Sequence, residues 1–137
     1  MAEDDWSIPE KVRPDPADYR FDLDTALGAV VSLKARVPAD AFSARTLGTE
    51  REGNGVVIGA PGADGLVLTI GYLVGEAESI WITTSGGRVV QGHALAYDFE
   101  TGFGLVQALG RLDAPSIPLA EGAPPDSGTG CVLAGAV

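Results

Sequence analysis

Apolar residues in this chain come in short runs separated by glycine-rich punctuation, a rhythm of strands and turns rather than of amphipathic helices. The stretches "GNGVVIG" (53–59), "GLVLTI" (65–70), "ESIWITT" (78–84), "RVVQGHALAY" (88–97), "FGLVQA" (103–108) and "GCVLAGA" (130–136) are each rich in β-branched or other apolar residues and predict strands. Upstream, in "DLDTALGAVVSLKARV", Asp22 or Asp24 is placed to cap a short helical turn ahead of the strand-like "AVVSLKA". "APGADG" (60–65) and "SGG" (85–87) have the length of hairpin turns, in which glycine supplies the positive φ that tight reversals need. About seven short strands at roughly ten-residue spacing predict an antiparallel sandwich or barrel rather than a βαβ fold. One long connection, residues 38 to 52, is polar and is expected to be mobile.

Length and charge narrow the picture. A chain of 137 residues suits one domain with a real core. No apolar run approaches the roughly 18 residues of a membrane span. The acidic start, Met1 to Asp5, is no secretory signal, so a cytoplasmic location is expected, and a periplasmic one only if the N-terminus has been trimmed. The net charge of −10, with nine scattered Lys and Arg, argues against a nucleic-acid partner. Half of that charge lies in residues 1 to 24, where Pro9, Pro14 and Pro16 stand among many charges without periodicity, as in an extended surface arm. A single cysteine, Cys131, and a single histidine, His93, exclude an internal disulfide and multi-cysteine or histidine-rich metal sites. No cofactor is expected.

Taken in order, "GNGVVI", "GLVLTIGYLV", "ESIWITTSGGRVVQGHALAYDFETGFGLVQA" and "GCVLAGA" resemble the first β-barrel of the trypsin-like serine peptidases, in particular the HtrA-type branch. The likeness covers residues 27 to 137 and is nearly gapless after residue 53. It implies an all-β fold, an antiparallel six- to seven-stranded barrel over residues 25–137, behind an acidic arm at 1–24. It also places Thr69 on the family's threonine, Tyr72 on its catalytic histidine, Asp98 on its structural aspartate and Gly102 on its catalytic aspartate. Both catalytic positions are thereby altered. In the family the imidazole takes the nucleophile's proton and the carboxylate orients it and stabilises the cation. A phenol, with an ordinary pKa of about 10, is a poor base at neutral pH, and glycine offers no side chain. The nucleophile belongs on a second barrel, and the chain ends at Val137, where the first barrel is expected to finish.

Other residues invite chemistry and have plainer readings. "TSGGR" (84–88) and "PDSGTG" (125–130) contain Ser-Gly pairs, but their places in the series are those of a hairpin turn and of the approach to the last strand. His93 reads as a strand residue, exposed or locally hydrogen-bonded, since a base needs a positioned partner. Cys131, in the apolar "GCVLAG", reads as a small buried hydrophobe, and Trp81 as ordinary barrel packing.

Together these readings point to a catalytically inactive peptidase homologue. Its rim, with Thr69, Tyr72, Asp98 and Gly102, would bind a protein or peptide, or would mediate self-association through apolar area around Tyr72 and the final "CVLAGAV". Two rivals are an N-terminal piece of a longer HtrA-type peptidase and an unrelated small ligand-binding barrel.

Overall fold

The computed structural model describes residues 8–60 and 62–136. Seven strands form one sheet: β1 (Val30–Arg36), β2 (Glu50–Ala60), β3 (Ala63–Ile70), β4 (Ser79–Thr83), β5 (Val89–Tyr97), β6 (Phe103–Ala108) and β7 (Ile117–Pro118). Hydrogen bonding runs β1–β4–β5–β6–β3–β2, and β2 then pairs with β1, so six strands close into an antiparallel barrel. The two-residue β7 adds outside it, parallel to Ile58 and Gly59. Among the described residues there are also three short α-helices, α1 (Leu23–Gly28), α2 (Ala44–Leu47) and α3 (Gly71–Val74). Among the described residues no helix is long and apolar enough to cross a membrane.

Strand alternation builds the interior. Val31, Leu33 and Ala35 of β1 face Ile80 and Ile82 of β4, Val90 of β5, Val106 of β6 and Val67 of β3, all buried in one cluster. The period of two along each strand thus separates a buried barrel lumen from an exposed outer face. At the start of β1, Asp22 caps α1, its carboxylate accepting the Thr25 N–H at 3.0 Å. Leu23 then turns its side chain into the protein. Before it, the described part of the N-terminal arm is exposed and makes only two 3-10 turns, Glu10–Val12 and Pro16–Asp18; Met1 to Ser7 lie outside the described residues.

Four expectations need correction. The run 130–136 is not a strand: residues 131–136 have no regular structure and are largely exposed. The reason is closure, since β1–β2 pairing leaves the barrel without a free edge for that run to join. Its one described tie is a hydrogen bond from the Ala136 N–H to Asn54 Oδ1 at 2.8 Å. Cys131 is accordingly exposed rather than buried. Trp81 is no core residue either; alternation puts Ile80 and Ile82 inside and turns Trp81 outward, 46% exposed. Finally, the strand expected from residue 53 starts at Glu50, so the connection from 38 to 52 ends inside β2. It carries α2 and the first residues of β2, and it contributes Arg51, a buried residue, to the rim.

Candidate functional site

The rim forms where β3 runs out. Thr69 is buried at its last inward position, and its hydroxyl donates to the Asn54 carbonyl at 2.8 Å, tying β3 to β2. The chain then makes the single turn of α3, and Leu73 and Val74 drop into the barrel mouth as plugs. Tyr72, between them and Gly71, points the other way and is 37% exposed. The Gly71 N–H donates to the Gly102 carbonyl at 2.7 Å, so Tyr72 and Gly102 meet at one rim as the sequence expectation required.

On the Gly102 side the backbone does the work. Asp98 opens a turn in which its two carboxylate oxygens accept from the Glu100 N–H at 3.0 Å and the Thr101 hydroxyl at 2.8 Å. The Gly102 N–H returns to the Asp98 carbonyl at 2.8 Å, and the Asp98 N–H bonds the Phe103 carbonyl at 2.9 Å. The Thr101 hydroxyl first, and the Glu100 N–H second, hold the Asp98 carboxyl below its ordinary range. Gly102 itself has φ of 80°, a left-handed conformation that suits glycine. Above this turn the Tyr97 ring lies directly over Gly71, in the space a Cβ there would occupy.

A different device fixes the Tyr72 side. Arg51 is 2% exposed, yet every hydrogen bond its guanidinium makes goes to a neutral oxygen. Nη1 donates to the carbonyls of Tyr72 at 2.9 Å and Gly75 at 3.3 Å, Nε to that of Gly48 at 3.3 Å, and Nη2 to the Ser43 hydroxyl at 2.8 Å. The cation therefore sits at the carbonyl end of α3, where partial negative charge gathers, and its carbon lies 5.2 Å from the Tyr72 ring centre. Beyond it, Glu76 at φ of 58° accepts from the backbone N–H groups of Phe42 at 2.9 Å and Ser43 at 2.8 Å. Ser43, through hydroxyl and N–H, then the Phe42 N–H and the charge of Arg51 keep Glu76 below its ordinary range.

Sequence reasoning found Thr69, Tyr72, Asp98 and Gly102 and missed Arg51, Ser43, Glu76 and Tyr97. A signal for Arg51 existed: carrying the period of two backwards from Val57 through Gly55 and Gly53 lands on it. The other candidates stay apart from the rim's chemistry. His93 is exposed on β5 opposite Gln107, and residues 84–88 form the β4–β5 hairpin, closed by the Gly87 N–H to the Thr84 carbonyl at 2.9 Å. Ser127 lies in an exposed reversal where the Thr129 N–H bonds the Asp126 carbonyl at 3.2 Å. Among the described residues no group of three or more His, Cys, Asp or Glu could hold a metal ion.

Solved structures that share this closed antiparallel barrel fold are serine proteases. The HtrA-type protease AlgW, solved with a tripeptide, superposes with a TM-score of 0.56 at 20% identity, over 71% of this chain and 28% of that one. A serine endoprotease from Yersinia pestis gives a TM-score of 0.57 at 24% identity, over 77% of this chain and 34% of that one. The fold is thus that of an HtrA-type protease barrel, and the chain spans about a third of the length of these proteins. No family model and no curated protein matches the sequence.

Proposed function

We propose that this chain is a catalytically inert homologue of HtrA-type serine proteases that serves as a protein- or peptide-binding module. The observation that supports the reading most is the junction of Gly71 with Gly102, a 2.7 Å hydrogen bond between backbones at the rim. In the resemblance this is the meeting point of base and orienting carboxylate. Here it offers a phenol and a glycine carbonyl already engaged by a neighbour. Neither can take a proton from a nucleophile at neutral pH or hold an imidazole in register. Exposed side chains of Ile70, Tyr72, Tyr97 and Phe103 around that junction supply contact area for a partner or for a second copy.

A second reading, that the chain is the N-terminal part of a longer HtrA-type protein, is favoured by its coverage of only 28% and 34% of the proteins it superposes on. Inertness survives that reading, because both altered positions lie in this barrel wherever a serine might stand. The test uses the product of the entire reading frame with casein and an activated peptide ester as substrates. No turnover above buffer is expected. Turnover that a serine-directed covalent inhibitor abolishes overturns the proposal.

A further inference from the structure

Phe99 is 86% exposed, yet it is not loose. The turn that carries it is knit by the two bonds to the Asp98 carboxylate and by the return of the Gly102 N–H to the Asp98 carbonyl. Its ring lies on that of Tyr97 with centres 4.2 Å apart and planes 13° from parallel. Tyr97 is in turn seated over Gly71. One face of Phe99 is therefore covered and the other stands open to solvent on a fixed support. An aromatic held in this way loses little conformational freedom when something docks on it, the property of an interface anchor.

Charge selects the occupant. Asp98 and Glu100 flank Phe99 in the turn, and residues 70–79 and 95–104 contain Glu76, Glu78, Asp98 and Glu100 but no Lys or Arg. Asp98 is committed to its turn and Glu76 to Phe42 and Ser43, whereas Glu100 forms no ion pair among the described residues. A second copy would bring the same acidic rim and another net charge of −10, so like charges oppose it. A guanidinium does the reverse. Its planar cation stacks on an aromatic face while neighbouring carboxylates meet its charge.

We infer that the Tyr97–Phe99 stack is the docking point for an extended peptide segment that lays an arginine, flanked by apolar residues, on the open face of Phe99. Ile70 and Phe103, paired across β3 and β6 and half exposed, give the flanking residues apolar surface nearby. The inference deepens the binding role proposed above and rests on it.

Fluorescence anisotropy with a labelled heptapeptide of alternating leucine and arginine tests it, alongside a peptide in which neutral citrulline replaces arginine. The arginine peptide is expected to bind about fivefold or more tightly than the citrulline one, and Phe99→Ala to weaken it by a similar factor. Glu100→Gln is expected to weaken it less. Because Phe99 is exposed, its truncation leaves the fold intact, which circular dichroism checks. Equal binding of the two peptides, unchanged binding by Phe99→Ala, or no binding overturns the inference. Where the two peptides bind equally but Phe99→Ala weakens both, the inference of an arginine is overturned and the binding role proposed above stands. An arginine peptide that is bound and then cleaved upholds the docking point and removes the claim of inertness.

Discussion

The two sides of the rim are held by opposite means. On the Tyr72 side one buried cation reaches across three elements, from Gly48 and Ser43 to the carbonyls of Tyr72 and Gly75. On the Gly102 side a five-residue turn, Asp98 to Gly102, closes on itself and touches α3 through one backbone bond. Long-range support makes the first side a matter of global stability. Local support makes the second a matter of conformation, and leaves its side chains free to face a partner. The difference teaches that one rim can be held by a long-range clamp on one side and by a self-contained turn on the other.

Removing the cation is expected to have the largest effect. Arg51→Met removes all four part-buried hydrogen bonds of the guanidinium and is expected to cost about 3 kcal/mol, read from the urea midpoint. Arg51→Lys recovers only part, since an ammonium cannot span the fork. An unchanged midpoint would show that the clamp contributes nothing. Next comes Gly71→Ala, whose methyl group enters the Tyr97 ring. It is expected to cost about 2 kcal/mol, and distinctly less in a Tyr97→Ala background, as groups in contact couple. Equal costs in both backgrounds would remove Tyr97 from the support of α3.

Smaller effects lie on the Gly102 side. Nothing stands within 4 Å of a Cβ built on Gly102, so the cost of Gly102→Ala is conformational, about 1 to 2 kcal/mol from the φ of 80°, with Gly102→Asn milder. Tyr72→His combined with Gly102→Asp is accordingly expected to destabilise by at least as much as Gly102→Ala, since an aspartate at 102 must also adopt the φ of 80°. The smallest effect is the pH dependence of Glu76. Its folded pKa is depressed from the ordinary 4.5, so its contribution is present above that value and is lost as pH falls through the folded one. Glu76→Gln is therefore expected to flatten the loss of stability below pH 4.5 and to leave a residual slope from Asp98, whose pKa is depressed in the same way. An acid limb identical to that of the unaltered protein would exclude Glu76 from it.

Strands β1 to β6 were legible because they are short runs rich in β-branched and other apolar residues and glycine marks the reversals between them. On the Gly102 side, Asp98 and Gly102 were named only through the resemblance; the turn they bound lies in one contiguous stretch but was not read as a turn. Arg51 was not legible as a rim residue. The period of two marks it only as an inward position, and it takes closure of the barrel to bring the carbonyls of Tyr72 and Gly75 to it. The run 130–136 failed in the opposite way. Its residues have strand propensity, but propensity needs a free edge, and β1–β2 pairing had already used it. Trp81 shows the limit of reading an aromatic as core, since position in the alternation, not size, decided which way it faces.

Inertness is the claim on which the account turns, and labelling by a fluorophosphonate probe tests it most directly. The probe reacts with a serine only when a base activates it, so it reads proton transfer at a serine without requiring the right substrate. Incubated with the product of the entire reading frame and followed by intact-mass measurement, it is expected to leave the mass unchanged. A single adduct on one serine, lost on Tyr72→Phe, would contradict the account and make Tyr72 a working base.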